Sequence, residues 1–376
     1  MNLLAENARI APTYDRPGPF VTVYLDATRS TENAEHEIEV RWRDVREELR
    51  RHGADEQSLE AIQEGIAGDV HTPGRHGLVL VAARGELCFA DPFPGPPAQS
   101  TGRVAALPHL VPYLAQRATD VPHIVVVADR TGADIISVAA GGATEKESVA
   151  GEAQHPISRT GRNTWSERQF QNRVENNWEK NARNVADEVT RLTRQLSAPL
   201  VVVAGEVRAS HMVADDLASA LGPGVTVTLV DEGGRAPGAS PEALESAVHE
   251  QVLRHVWRER REVLEHLRQN LGRHEYAVAG AAEVAEALRM SQVDTVVLSD
   301  DPSSTLQAWV GPQPTEFGLD DAEATTLGIS EVDHDRYDAA LLRAVVGTGA
   351  RLVVTPGGHQ YLPDGIGALL RYEVAS

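Results

Sequence analysis

From Phe170 to Leu196 an apolar side chain recurs at steps of three and four: Phe170, Val174, Trp178, Ala182, Val185, Val189, Leu192 and Leu196. That period places them on one face of a helix. The pattern predicts a helix over 166–196, and roughly 30 residues at 1.5 Å each give ~45 Å. A small sheet cannot cover that length, so one end should project. Ser166 with Gln169, or Thr164 with Glu167, would make a capping box at its start. Buried-type strands flank it. HIVVVAD (123–129) and ADIISVA (133–139) precede it, joined by the turn signal Arg130-Thr131-Gly132. PLVVVAGE (199–206) and VTVTLVD (225–231) follow. Strands alternating with helices predict a layered α/β domain.

The same reading extends both ways. PFVTVYL (19–25) reads as a strand, 35–52 as a charged helix capped by Gly53, and 55–67 as a second helix. HGLVLVAA (76–83) and ELCFA (86–90) read as a hairpin, 91–102 as a Pro- and Gly-rich loop, and 107–118 as a short helix. Beyond a bridging helix at 241–270, EVAEALRM (283–290) is helical, and DTVVLSD (294–300), RLVVTP (351–356) and GALLRYEV (367–374) are strands. Residues 300–338 hold ten acidic side chains and one arginine and read as an insertion or mobile lobe. The length of 376 residues suits two or three domains. The expected architecture is α/β with three domains, 1–118, 119–262 and 263–376, each a mixed sheet layered with helices, the last carrying the acidic insertion.

The net charge of −20 excludes a protein that wraps nucleic acid with its whole surface. The single cysteine, Cys88, excludes an internal disulfide and a cysteine zinc cage and reads as a small buried hydrophobe. No apolar run reaches the ~18 residues of a membrane span, and the start, MNLLAENARIAPTYDR, lacks a secretion signal. The expected location is the cytoplasm, with no membrane partner and no DNA. The 35 basic residues comprise 33 Arg and two Lys (Lys146 and Lys180), a bias of the kind GC-rich codons give. No GxxxxGK[ST] loop is present, and no cofactor or metal is expected.

One stretch departs from this acidic background. Residues 154–183, QHPISRTGRNTWSERQFQNRVENNWEKNAR, carry six Arg or Lys and three Glu. Trp165, Phe170 and Trp178 sit among them. Arginine forks grip phosphates, and exposed aromatics stack on unpaired bases. A basic loop leading into a projecting helix therefore suits an RNA probe. It equally suits a solvated loop before an ordinary amphipathic helix with Phe170 and Trp178 in the core. Arg41, Arg43, Arg46, Arg50 and Arg51 form a second cluster, interleaved with Asp44, Glu47 and Glu48 as a solvated, ion-paired helix face would be. His211 with Arg208 and Ser210 hints at a nucleophile–base pair, yet nothing orients it. Asp300, Asp301, Asp333, His334 and Asp335 suit a hard cation of a nuclease by chemistry, but their spacing matches no site.

Three pieces together resemble the archaeo-eukaryotic class-1 release factor and Pelota superfamily, in its bacterial branch. They are the VVVAD hairpin, polar loop, Arg-rich helix and VVVAG strand of the middle domain; the run HEYAVAGAAEVAEALRMSQVDTVVLSD (274–300); and the ending GARLVVTPGGHQYLPDGIGALLRY (349–372). The most specific match is Gly365-Ile366-Gly367-Ala368-Leu369-Leu370-Arg371-Tyr372. The resemblance covers roughly 120–376. The first 118 residues are similar to the bacterial branch alone, through VTVYLD (21–26) and RWRDVREELR (41–50).

Release factors of this superfamily carry Gly-Gly-Gln at the middle-domain loop, where the glutamine helps place the hydrolytic water. This chain has Ser158-Arg159-Thr160-Gly161-Arg162-Asn163-Thr164 there, with one glycine and no glutamine after it. Gly357-Gly358-His359-Gln360 carries an inserted His and lies in the third domain, the wrong context. The stop-codon-reading motif is also missing. The resemblance therefore implies a factor that occupies the ribosomal A site without terminating translation, like the Balon-like hibernation factors of the superfamily. It assigns no catalytic residue. It implies rRNA contact by Arg159, Thr160, Gly161, Arg162, Asn163, Trp165, Arg168 and Arg173. The implied partners are the 70S ribosome, through 23S and 16S rRNA, and elongation factor Tu as the GTPase docked by the third domain. Hydrolysis of peptidyl-tRNA by a rescue factor with a variant loop is the alternative.

Overall fold

The computed structural model describes residues 3–30, 33–69, 74–117, 119–140, 144–150, 164–234, 240–301, 303–326, 333–357 and 361–372, with the backbone alone for 3–7, 150, 164–177 and 356. Among them are ten α-helices and four sheets, the mixed α/β fold expected from the sequence. Contacts gather the chain into two units: 119–259, and a second made of 2–118 together with 260–376.

The second unit opens with α1 (Leu3–Tyr14), β1 (Phe20–Asp26), α2 (Ala34–Arg51), α3 (Glu56–Gly68), β2 (His76–Ala83), β3 (Glu86–Pro94), β4 (Thr101–Ala105) and α4 (Val111–Arg117). The four strands form an antiparallel sheet of order β3-β2-β1-β4. One face, with Val21, Val23, Leu25, Leu78 and Leu80, is covered by Ile38, Trp42, Val45 and Leu49 of α2 and Leu59 and Ile62 of α3. The other, with Phe20, Tyr24, Val79, Val81 and Phe93, packs into one core with side chains from beyond residue 280.

The unit of 119–259 holds β5 (His123–Asp129), β6 (Gly132–Val138), β7 (Thr144–Ala150), α5 (Thr164–Leu196), β8 (Leu200–Gly205), α6 (Val207–Ala220), β9 (Thr226–Leu229) and the first part of α7 (Pro241–Arg273). Its sheet has the order β7-β6-β5-β8-β9, with β8 parallel to β5 and β9, and the hairpin arm antiparallel. Ile124, Val126, Val201 and Val203 face α5 and α6; Val125, Val127, Val202 and Ala204 face Val248, Val252 and Val256 of α7. Cover on both faces is what continuous Val-rich strands require.

The chain then adds β10 (Ala277–Ala279), α8 (Ala281–Arg289), β11 (Val293–Asp300), β12 (Gln307–Val310), β13 (Phe317–Gly318), α9 (Asp321–Thr326), β14 (Asp333–Arg336), α10 (Tyr337–Thr348), β15 (Arg351–Pro356) and β16 (Ile366–Leu370). The larger sheet has the order β10-β16-β11-β15, the smaller β13-β12-β14. The Gly-Ile-Gly signature has a steric reading here. Gly365 takes φ +71°, and a Cβ on Gly367 would meet Leu362 and Leu267 carbons at 2.9 and 3.0 Å. The first glycine supplies a left-handed turn, and the second lets the central strand β16 lie against α7.

Several local expectations give way. The loop read over 91–102 is partly strand, β3 running to Pro94 and β4 starting at Thr101. The polar stretch after Gly141 contains β7, an exposed edge strand with no apolar alternation to announce it. The last strand ends at Leu370 rather than 374. The acidic stretch 300–338, read as an insertion or mobile lobe, places Ala308, Val310, Phe317 and Tyr337 in the main core.

Candidate functional site

Arg159, Thr160, Gly161, Arg162 and Asn163 lie outside the described residues. What holds their ends is described. Edge strand β7 closes at Ala150 and α5 begins at Thr164. Trp165, Arg168 and Arg173 fall in the first three turns of α5. At 33 residues the helix is about 50 Å long. Its second half is anchored: Asn181, Ala182, Val185, Ala186, Val189, Leu192 and Thr193 are buried. Thr193 donates its hydroxyl to the Val189 carbonyl at 2.7 Å. The predicted apolar face is therefore real from Ala182 to Leu192.

Trp178 marks the border between the two halves. It is half-buried, and the Arg208 guanidinium of α6 lies 4.7 Å from its ring centroid, a cation–π contact. Its indole Nε1 is buried without an acceptor. One turn on, Asn181 donates Nδ2 to the Arg130 carbonyl at 3.2 Å, tying α5 to the β5–β6 turn. Glu206 accepts an ion pair from Arg130 at 3.8 Å. The exposed face of α5 beyond Trp178 presents Lys180, Arg183, Arg191 and Arg194 with Glu179 and Asp187. Arg191 is bound by Glu188 and pairs with Glu147 of β7 at 3.5 Å. Sequence reasoning missed the Arg208–Trp178 stack. The two residues lie on different helices, and no local pattern links them.

Gly205 fixes where α6 starts. It takes φ +116°, and a Cβ there would lie 2.0 Å from the Ala128 carbonyl oxygen. Glu206 N donates to that same carbonyl at 2.9 Å, so β8 ends pressed against Ala128 of its parallel neighbour β5 and turns at once into α6. Within α6, Ser210 Oγ and His211 Nδ1 both contact the Val207 carbonyl, at 3.0 and 2.7 Å. They cap backbone rather than each other, so this is not a nucleophile–base pair.

Four of the five arginines of α2 are committed to carboxylates. Arg41 pairs with Glu37 and Asp26, Arg43 with Asp44, and Arg46 and Arg50 both with Glu56 at the start of α3. The Arg50 and Arg46 hydrogen bonds pull the Glu56 carboxyl down to about 2. Among the acidic candidates, Asp335 is fully buried on Arg103 and the Leu107 amide, and Asp301 accepts from the Ser303 amide and hydroxyl. Among the described residues no group of three or more His, Cys, Asp or Glu could hold a metal. Nor is any described helix long and apolar enough to cross a membrane. Cys88 is partly exposed at the rim of the core, its thiol pushed up by burial.

The chain is 29% identical over 364 residues to the Mycobacterium tuberculosis protein Rv2629 of strain H37Rv, 96% of this chain and 95% of that one. Solved structures similar to it include Pelota of Archaeoglobus fulgidus, at 16% identity, 80% of each chain and a TM-score of 0.34. Dom34 of S. cerevisiae, a translation termination-like factor, is 10% identical over 80% of this chain and 81% of that one, with a TM-score of 0.42. The model of bacterial archaeo-eukaryotic release factor family 2 matches residues 122–273. That span holds β5, β6, β7, α5, β8, α6, β9 and α7, and the similarity to the family is to this part of the chain.

Proposed function

We propose that this protein is a ribosome-associated translation factor that occupies the A site without terminating translation and protects idle ribosomes under stress. The observation that carries the reading is the segment between β7 and α5. The sequence around it matches a release-factor family, and the segment itself, Ser158 to Thr164, has one glycine and no following glutamine. A scaffold that delivers a loop without the residue that places water is built to bind. On this reading Arg159, Arg162, Asn163, Trp165, Arg168 and Arg173 contact 23S rRNA, with Thr160 and Gly161 at the tip. The N-terminal residues would face 16S rRNA, and elongation factor Tu would be the docked GTPase of the cytoplasm.

The test is co-sedimentation with 70S ribosomes over a salt series, with and without P-site peptidyl-tRNA. A variant carrying Arg159→Ala, Arg162→Ala and Arg168→Ala runs beside the wild type. Each lost phosphate contact should lower the slope of log K on log salt by about 0.7–0.9, so the triple variant should lose roughly 2–3. Binding without peptide release is the expected result. Peptide release would make the protein a rescue hydrolase instead, and no binding at low salt would end the reading.

A further inference from the structure

The sheet of the unit 119–259 has two edges, and they are built differently. β7 carries Glu145, Lys146 and Glu147 in succession, all exposed, and charged side chains are a device by which natural edges resist a further strand. β9 lacks such devices. Its four residues, Thr226 to Leu229, include no charge and no proline, and its pairing with β8 has no bulge. Leu229 is 39% exposed.

The backbone shows which groups are open. Thr226 N donates to the Pro199 carbonyl at 2.8 Å and Val230 N to the Val203 carbonyl at 3.0 Å. Alternate residues of a strand bond to the same neighbour, so Thr226, Thr228 and Val230 face β8. Val227 and Leu229 turn their N–H and C=O outward, and among the described residues these groups have no partner. Val225 and Val227 pack against the core under α6. The strand period puts Leu229 on that same face, beyond the core's cover.

The surroundings are acidic. From Arg208 to Arg254, the span of α6, β9 and the first part of α7, the chain has seven acidic side chains and three arginines. Two of those arginines are engaged, Arg208 on Trp178 and Arg254 with Glu250. Asp231 and Glu232, directly after β9, are exposed, and among the described residues no basic side chain pairs with them. A second copy of this chain would bring the same excess of carboxylates to the edge, which like charge opposes.

We infer that the β9 edge docks an extended basic segment of a partner protein, which adds to the sheet as a sixth strand. Backbone pairing to Val227 and Leu229 holds it, an apolar side chain over Leu229 fixes its register, and its Lys or Arg side chains answer the acidic flanks. The inference uses none of the residues assigned to ribosome binding and stands without that reading.

Fluorescence anisotropy of a labelled nine-residue peptide that alternates valine and lysine, titrated with the full chain, tests it. The peptide should bind with a Kd below about 100 µM at low salt. The same peptide N-methylated at every residue keeps its charge but has no backbone donor, and should bind at least about tenfold more weakly. Leu229→Lys puts a charge on the edge, and Val227→Pro removes an N–H that the sheet does not use. Each should weaken binding about tenfold. Leu229→Lys, at an exposed side chain, should leave the unfolding transition in place, which separates loss of the edge from misfolding. No binding up to about 1 mM, or equal binding of the N-methylated peptide or of one alternating valine and glutamate, overturns the inference. So does a dimer of the full chain in sedimentation equilibrium that Leu229→Lys abolishes, since a second copy then takes the edge.

Discussion

Asp335 clasps two parts of the chain that lie more than two hundred residues apart. Its carboxylate accepts from the Leu107 amide at 2.7 Å, from the Arg336 amide at 2.7 Å and from the Arg103 guanidinium, and its side chain is fully buried. Replacing it with alanine strands the buried Leu107 N–H, a loss of about 1–3 kcal/mol. Arg103 keeps 31% of its side chain in solvent and can rehydrate, so the ion-pair part adds about 1 kcal/mol rather than the larger cost of a sealed charge. Asp335→Ala should therefore cost about 2–4 kcal/mol. Asp335→Asn keeps an acceptor for Leu107 and should cost about half of that. Asp333→Ala, on an exposed side chain two residues away, should stay within about 0.5 kcal/mol. Urea unfolding followed by hydrogen exchange reads all three. In Asp335→Ala the amides of β4 and β14 should lose protection together. If that variant unfolds within about 0.5 kcal/mol of the wild type, the clasp is not what joins the N-terminal sheet to the acidic segment.

Three further outcomes are expected. A double-mutant cycle of Arg208→Ala and Trp178→Leu should give a coupling of about 0.5–1 kcal/mol in urea unfolding, and a coupling near zero would remove the stack as an anchor of α5. Gly205→Ala forces a Cβ to 2.0 Å from the Ala128 carbonyl at φ +116° and should cost about 3 kcal/mol or more, whereas Gly222→Ala, with open space around it, should be silent within about 0.5 kcal/mol. Burial pushes the Asp338 carboxyl up, but hydrogen bonds and charge from His109 and Arg336 outweigh it and hold it well below the usual range. Folded Asp338 thus binds fewer protons than unfolded Asp338 below about pH 4, so its contribution is full above that pH and drains away as the pH falls further. Unfolding measured from neutral to acid pH should show a shallower acid limb for Asp338→Asn, and an unchanged limb would contradict the assignment.

The elements legible in the sequence were those whose cover is local. The Val-rich strands β5 and β8, and α5 from Ala182 to Leu192, announce themselves because each carries its own period. Four helices did not, among them α9, which has only six residues. In α10 the apolar side chains go round the whole circumference, as they do in a helix buried on all sides, and a period cannot show against that background. In α1, Pro12 interrupts the pattern, and α6 follows β8 with only Glu206 between them. The segment 158–164 is read in a different way, through what its sequence lacks, because a motif can be missed only where its flanks are recognisable.

The first strand held a clue to the assembly of the chain. PFVTVYL is apolar at nearly every position, and an antiparallel strand reads like that only when both faces of its sheet are covered. The two helices that follow it can cover one face, the one with Val21, Val23 and Leu25. Phe20 and Tyr24 lie on the other face, where Phe93 and Tyr113 are joined by side chains from far along the chain. Their core includes Val284, Leu288, Tyr337, Leu341 and Val345, more than 250 residues away in the chain. Continuous hydrophobicity in a strand with too few local helices thus implies a long-range cover, and the acidic segment is carried into that cover by Phe317, Tyr337 and the Asp335 clasp rather than held out in solvent.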